Sequence, residues 1–242
     1  MSVLMSKDAF HRALIQARTE HGSGGHPFSQ AWRSGALTRE QLGFWAVQHY
    51  YYIEHIPQQF GHFFCRLPDL DARQLMLENL VGEEMPGSPG KRHPDLMVKF
   101  AVACGVPEAD VRGADVAGRI LPTTRAMRSW IYELVAFRQY VEGAAGIMLA
   151  LEGQTPDLFE SYVKACKAQG FTDDDLEFFH VHMEADVEHQ EHGFEITCRY
   201  ADTPELQQLA IAAVRSSASQ RFTMLDGIWK AMNKQPPLVK AA

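Results

Sequence analysis

The sequence has 242 residues, of which 46% are hydrophobic, and a formal net charge of -7 at pH 7. A chain of this length can bury a substantial core, whereas a nucleic-acid groove would need clustered Lys and Arg, which the sequence lacks. Because no stretch approaches the roughly 20 apolar residues that span a bilayer, and no basic start precedes an apolar run, we expect a soluble, cytoplasmic protein with no nucleic-acid or membrane partner.

Helix caps and breakers divide the chain into predicted helices. Thr38 and Gln41 form a predicted capping box, and Thr155 is a predicted N-cap before a proline. The predicted helices cover approximately 6–20, 38–65, 71–84, 93–104, 123–151, 156–168, 172–198 and 203–232. No alternating strand pattern separates them. The sequence therefore predicts an all-α fold, with a single helical domain over residues 1–235 and a loose tail over 236–242.

Four cysteines lie far apart, and no two of them have the CxxC spacing of a metal or redox motif. They are Cys65, Cys104, Cys166 and Cys198. Since each lies in an apolar or helical context, we expect buried thiols in a reducing compartment.

Histidines are concentrated in the segment 180–192, which holds four of the eleven in the chain. At about 100° per residue of a helix, Asp186 and His189 lie about 40° and about 20° from His182, so three candidate ligands share one narrow face. Imidazole and carboxylate together suit iron, manganese or zinc. The alternative is an exposed polar helix with scattered histidines, but Phe178 indicates that this helix has buried neighbours.

Carboxylates in apolar surroundings occur at two further places. Glu152 ends the small and apolar segment 143–152, and a buried carboxylate is costly unless it is paired or binds a metal. Glu83 and Glu84 end another predicted helix, and His93 begins the next, so one acid and this histidine could supply two more ligands. The alternative at both places is an acid exposed at a helix end. Helical bundles with several inward Glu and His residues are known to hold two metal ions.

The order of these residues is Glu-Glu, His, a lone Glu after a small apolar helix, then His-x3-Asp-x2-His. It resembles the haem-oxygenase-like di-iron proteins of the TenA/PqqC superfamily, in particular the CADD-like and PqqC-like proteins. The likeness covers most of residues 10 to 195. Other segments that match these proteins in register are His26-Pro-Phe28, Trp32, Gly35-Ala-Leu-Thr38, the helix of Tyr50, and Glu184-Ala-Asp186.

The resemblance implies a seven-to-eight-helix haem-oxygenase-like bundle, commonly a homodimer. It also implies two iron ions, or manganese or a mixed pair, and a function as a non-haem di-iron oxygenase or oxidase. Such an enzyme would use O2 on a small-molecule substrate in a biosynthetic pathway. The loop after Glu83 is longer than in the CADD-like proteins, which leaves Glu84 as an alternative. Carried over by position, the implied ligands are Glu83, His93, Glu152, His182, Asp186 and His189.

Some proteins of this resemblance make p-aminobenzoate from one of their own tyrosines. At that tyrosine's position this chain has Ser29, and a lysine that matters in those proteins falls near Tyr162, with Lys164 two residues later. Both departures argue against self-sacrifice. Other tyrosines remain as conceivable donors, namely Tyr50, Tyr51 and Tyr52.

Aromatic residues could wall a substrate pocket, although aromatic stripes more often form core. The two principal candidates are Trp45 and Tyr50, which would be joined by Phe60, Phe63 and Phe64.

Three other functions compete with the di-iron enzyme. A metal-free oxidase resembling pyrroloquinoline-quinone synthase would hold an acidic precursor with Arg, Lys and His, but it does not explain why Asp186 shares a face with two histidines. A TenA-like thiaminase needs an activated cysteine, and none has an obvious activating partner. An iron-binding interaction or regulatory protein is the non-enzyme alternative. The arginines available to the metal-free oxidase are Arg66, Arg92 and Arg125.

Overall fold

The computed structural model describes residues 3–85 and 87–234, apart from the side chains of 155–157, 184, 187, 188 and 234. The predicted tail over 236–242 and the predicted side-chain cap at Thr155 lie outside the described residues. Within them the chain is helical, and none of them forms a strand. No described helix is both long and apolar enough to cross a membrane. The predicted all-α fold class is confirmed.

The α-helices follow one another with short connections, and two short helices, α2 and α7, were not predicted. The helices are α1 (Lys7–Thr19), α2 (Pro27–Arg33), α3 (Arg39–Ile53), α4 (Ile56–Arg66), α5 (Leu70–Glu84), α6 (His93–Ala103), α7 (Glu108–Arg112), α8 (Pro122–Phe137), α9 (Tyr140–Ala144), α10 (Thr155–Ala168), α11 (Glu177–Tyr200) and α12 (Pro204–Lys234). A π-helical turn, Ala145–Leu149, and a 3-10 turn, Glu152–Gln154, connect α9 to α10.

The predicted helix over 38–65 is two helices in the structure. Its capping box is confirmed, since Thr38 accepts from the Gln41 backbone N–H and the Gln41 side chain accepts from the Thr38 backbone N–H. The helix breaks after Ile53, and α4 begins with Pro57 in its first turn. Proline has no N–H to donate and its ring clashes with the preceding turn, which explains why a single continuous helix is wrong here.

The predicted helix over 123–151 is also interrupted. α8 ends at Phe137, and a second capping box between Gln139 and Glu142 starts α9. The chain then widens into the π-helical turn at 145–149, a conformation that is rare and often found at functional sites. The turn sets the position of Glu152, three residues further on.

α11 lies at the centre of the packing that forms the candidate site. It contacts α5, α6, α9, α10 and the π-helical turn, and α12 contacts the same turn and α3 from the other side. Aromatic rings fill the adjoining core, where Trp32 stacks on Tyr162 at 4.2 Å between centroids and packs edge-on against Trp45 at 4.7 Å. The core therefore encloses one face of α11.

The predicted burial of the cysteines is right for Cys104 and Cys166 but wrong for Cys65, which is exposed, while Cys198 is half-buried. Cys65 follows Phe63 by two residues, so it lies on the opposite face of α4 from that buried ring. Burial raises the pKa of the Cys104 thiol to about 12 and that of Cys166 to about 11.

These differences predict selective thiol labelling. With iodoacetamide at pH 8, Cys65 is expected to be modified in the native protein, whereas Cys104 and Cys166 react only after unfolding, because the reactive species is the thiolate. Peptide mass spectrometry measures each site, and Cys65→Ser serves as the control that removes the fast phase. Rapid native labelling of Cys104 would contradict the buried placement.

Candidate metal centre

The six residues that the resemblance implies as ligands converge from four segments of the chain. α5 ends at Glu84, where Met85 adopts a left-handed conformation with φ 43° and turns the chain. α6 begins at His93, with Pro94 in its first turn. α11 contributes three residues, and the turn after the π-helix contributes one. The six residues are Glu83, His93, Glu152, His182, Asp186 and His189.

A first group consists of Glu83, His93 and His182, each offering one ligand atom within 4.8 Å of the others. His93 Nδ1 lies 3.1 Å from Glu83 Oε1. The rings of His93 and His182 are 4.2 Å apart between centroids. All three side chains are buried. Two imidazoles and a carboxylate at this separation can bind a single metal ion.

A second group consists of Glu83, Glu152 and His189, again within 4.8 Å of one another. His189 Nδ1 lies 3.3 Å from Glu152 Oε2 and 4.0 Å from Asp186 Oδ1. Asp186 is 1% exposed and lies between His182 and His189 on α11. Glu83 belongs to both groups, so its carboxylate lies between two neighbouring positions for a cation.

A hydrogen bond orients the ring of His182, whereas His93 and His189 each have a buried nitrogen that makes no hydrogen bond to a described residue. His182 Nδ1 is 2.7 Å from the Phe178 carbonyl oxygen. Because a carbonyl can only accept, Nδ1–H donates and the Nε2 lone pair is available to a metal, as in many metal sites. Among the described residues, none is in hydrogen-bond geometry with the buried Nδ1 of His93 or His189. Each nitrogen instead lies beside a carboxylate oxygen, of Glu83 at 3.1 Å and of Glu152 at 3.3 Å, and could bind a metal once it carries no proton.

The electrostatics of the cluster favour a bound cation. Burial raises the pKa of Glu83, but the surrounding histidines, His93 above all, outweigh it and lower this pKa to about 2. Burial lowers the pKa of His189, but nearby carboxylates, Glu152 first, raise it to about 9. Burial and then His93 lower the pKa of His182 to about 3. In the metal-free protein the proton on His189 thus compensates the acidic cluster, and a metal ion would displace it.

This donor set fits two metal ions of the iron or manganese type. The six residues offer imidazole nitrogens and carboxylate oxygens, a mixture that suits these metals, with no thiolate among them. Inward Glu and His residues of a helical bundle are the established way of holding two such ions.

The structure distinguishes Glu83 from Glu84, which the sequence left open. Glu83 is 4% exposed and faces His93. Glu84 instead points outward, where Arg92 donates to its carboxylate at 2.6 Å and 3.2 Å. The adjacent residues diverge because they are about 100° apart on α5.

A cavity adjoins the candidate centre. Glu83, Glu152, His182 and Asp186 line one side of it. Its other walls are mainly apolar and aromatic, with a histidine and an arginine among them: His49, Tyr52, Ile53, Ile56, Leu151, Phe159, Phe178 and Arg221.

The two aromatic residues expected in the pocket wall lie outside this cavity. Trp45 lines a neighbouring cavity and stacks on His49 at 4.5 Å. The Tyr50 hydroxyl donates to Glu54 at 3.1 Å and is 3.5 Å from Arg112. Tyr50 follows His49 on α3, and a one-residue step rotates a side chain about 100° away. Of the expected phenylalanines, Phe60 has its ring 6.4 Å from that of His189.

The arginines expected for a metal-free oxidase are engaged elsewhere. Arg66 donates to the carbonyls of Val135 and Arg138, Arg92 pairs with Glu84, and Arg125 pairs with Asp115.

Sequence reasoning missed Arg221 and His49 in the cavity wall and named Tyr52 only as a conceivable donor. Arg221 had a detectable signal, because it occupies the apolar face of α12 that Val214, Ala218, Leu225 and Ile228 define at helical spacing, and Arg is seldom buried without a function or a partner. His49 lies in a run of buried residues with no comparable signal.

The fold and the site define a helical-bundle protein with a buried cluster of carboxylates and histidines that could hold metal ions. The chain belongs to the family of iron-containing redox enzymes, whose family model matches residues 44–221. The resemblance predicted from the sequence is thereby confirmed.

The chain is similar to proteins with two different functions. The chain is 34% identical to a 4-aminobenzoate synthase of Nitrosomonas europaea, over 84% of each chain. It is 28% identical to a pyrroloquinoline-quinone synthase of Acidiphilium cryptum, over 96% of this chain and 92% of that one. Among solved structures, a domain with a haem-oxygenase-like fold from Shewanella denitrificans has a TM-score of 0.77 at 17% identity, covering 99% of this chain and 100% of that one. This likeness confirms the predicted haem-oxygenase-like fold.

Proposed function

We propose that the protein is a non-haem di-iron enzyme that activates O2 to oxidise a small metabolite in a biosynthetic pathway. The observation that carries the proposal is the buried carboxylate of Glu83, which two groups of candidate ligands share. Membership of an iron-containing redox family supports iron as the metal. Glu83, His93 and His182 would hold one ion, and Glu83, Glu152 and His189 the other, with Asp186 as the sixth ligand.

Each part of the centre has a distinct task. Two ferrous ions held here would supply two electrons toward the reduction of O2, and the oxidised substrate would supply the others. The carboxylates of Glu83, Glu152 and Asp186 would compensate the positive charge of the metals. The Phe178 carbonyl holds His182 in one orientation. Apolar walls of the adjoining cavity exclude bulk water, which keeps an oxidising site from side reactions.

Anaerobic loading with ferrous iron tests the proposal. We expect saturable binding of about two irons per chain, as a two-metal carboxylate site requires, and an absorbance change on admission of O2. Zinc-loaded protein is the control, since zinc has no redox chemistry. Absence of saturable iron binding would overturn the proposal and favour a metal-free oxidase. Iron binding without oxygen consumption with any substrate would favour an iron-binding regulatory protein.

Formation of 4-aminobenzoate is the second candidate function, which the similarity to the Nitrosomonas enzyme favours. Ser29 occupies the expected donor position, so a self-sacrificing reaction would need another tyrosine. Among the described residues, Tyr52 is the tyrosine that lines the cavity together with candidate ligands. Mass spectrometry of the protein after an aerobic reaction separates the two functions. An unmodified chain supports the metabolite oxidase, whereas loss of mass at Tyr52 together with 4-aminobenzoate supports the alternative.

A further inference from the structure

Arg221 is a buried cation in the wall of the cavity beside the candidate metal centre. Its side chain comes from α12, is 5% exposed, and lines both this cavity and the neighbouring one. Its Nη1 donates to the Leu151 carbonyl oxygen at 2.6 Å. Among the described residues, no carboxylate lies within ion-pair distance of it. A guanidinium has five N–H donors, so most of its capacity to bind an anion is unused.

The charge of the cavity changes once metals are bound. The acids that line the cavity with Arg221 are candidate ligands, and two ferrous ions would carry four positive charges against the three carboxylates of Glu83, Glu152 and Asp186. Arg221 adds a further positive charge. A buried charge without a counter-ion is costly, so the loaded cavity favours a bound anion. The same charge disfavours any substrate whose sole charge is positive.

His49 supplies a second unsatisfied polar group in the same wall. Its ring is 4% exposed, and its buried Nδ1 makes no hydrogen bond to a described residue. Trp45 stacks on the ring at 4.5 Å, and Phe178 meets it edge-on at 5.8 Å, which fixes its orientation. Burial, and then the positive charge of Arg221, lowers the pKa of His49 well below its usual value. The imidazole is therefore neutral and able to donate one hydrogen bond.

We propose that Arg221 and His49 bind the carboxylate of a small organic acid, which is the substrate class of this enzyme. The guanidinium matches a carboxylate in shape as well as charge. The apolar body of the acid would lie against Ile53, Phe159 and Phe178, next to the metal centre. This inference rests on the proposed function and names its substrate class. It excludes substrates whose sole charge is positive, such as simple amines.

Binding of probe acids and their neutral counterparts tests this inference. Manganese-loaded protein is titrated calorimetrically with benzoate and hexanoate, and with benzamide and hexanamide. In the wild type, we expect each acid to bind at least ten times more tightly than its amide. Arg221→Gln keeps a donor for the Leu151 carbonyl but removes the charge. It is expected to weaken acid binding about 10- to 150-fold, the worth of charged hydrogen bonds, and to leave amide binding unchanged.

Matched variants separate anion binding from a structural role. Arg128 is another buried arginine, 8% exposed, which pairs with Glu54 away from the cavity, so Arg128→Gln should bind acids like the wild type. Should Arg221→Gln fail to fold, His49→Phe retains the stacking on Trp45 and is expected to weaken acid binding alone. Acid preference that persists in each of these two variants that folds overturns the inference, because the metal alone would then select the acid.

The metal content of each preparation distinguishes failure of this inference from failure of the proposed function. Two bound metals with an unchanged acid preference in the variants would refute the role of Arg221 and leave the di-iron proposal intact. If the wild type binds no metal, the di-iron proposal fails, and the same titrations on metal-free protein decide the role of Arg221. Acid binding that depends on Arg221 would then support the inference, and binding that does not would overturn it.

Discussion

Glu83→Gln is expected to abolish binding of both iron ions, whereas variants of either candidate group alone should lose one. Glu83 is the residue that both groups share, and it is buried between them. A glutamine of the same size removes the negative charge that compensates the two cations, and a neutral amide is a far poorer ligand for ferrous iron. Metal analysis after anaerobic loading and desalting measures the result.

The variants of the separate groups make this prediction specific. His93→Ala disrupts the group that contains His182, and Glu152→Ala disrupts the group that contains His189, so each is expected to retain about one iron, in keeping with a site built from two ligand sets. Glu84→Gln is the matched control, because that carboxylate pairs with Arg92 outside the centre. It should retain wild-type iron. Full iron content in Glu83→Gln would contradict the placement of Glu83 in both ligand groups. Complete loss of iron in Glu84→Gln would contradict it as well.

Gly193→Ala is expected to lower the free energy of unfolding by about 3 kcal/mol, the upper range for overpacking a core. Gly193 lies on α11, one turn after His189, where this helix packs against the π-helical turn. A Cβ at this position would lie 2.4 Å from Met148 Cβ. Since the obstructing atom is next to the backbone of the turn, it can move only if the turn moves, and Glu152 lies three residues beyond that turn. Urea denaturation measures the stability.

Iron content gives the second measurement on Gly193→Ala, because displacement of Glu152 from His189 should weaken one metal position. The matched control is Gly61→Ala on α4, where a new Cβ would meet no atom within 4 Å. That change should raise stability by about 0.5–1 kcal/mol through helix propensity. Unchanged stability in Gly193→Ala would contradict the close packing of α11 on the turn.

The sequence determined the features that depend on local periodicity and capping. The common face of His182, Asp186 and His189 follows from the helical repeat alone. The capping box at Thr38 and the all-α class depend on neighbours along the chain, as does the apolar run before Glu152. The order of these residues was also specific enough to identify the family.

Only the tertiary structure decided which of these groups meet. Glu83 and Glu84 are equivalent in sequence, and the packing of α5 against α11 buries the first beside His93 and leaves the second to Arg92. The helix breaks before Pro57 and after Phe137 change the direction of the chain, where periodicity alone predicts continuous helices. Arg221 joins His49 through contact between α12 and α3, far apart in the chain. Contacts between residues far apart in the chain depend on how the helices pack. Packing is the sum of many weak contacts, which no local sequence pattern predicts.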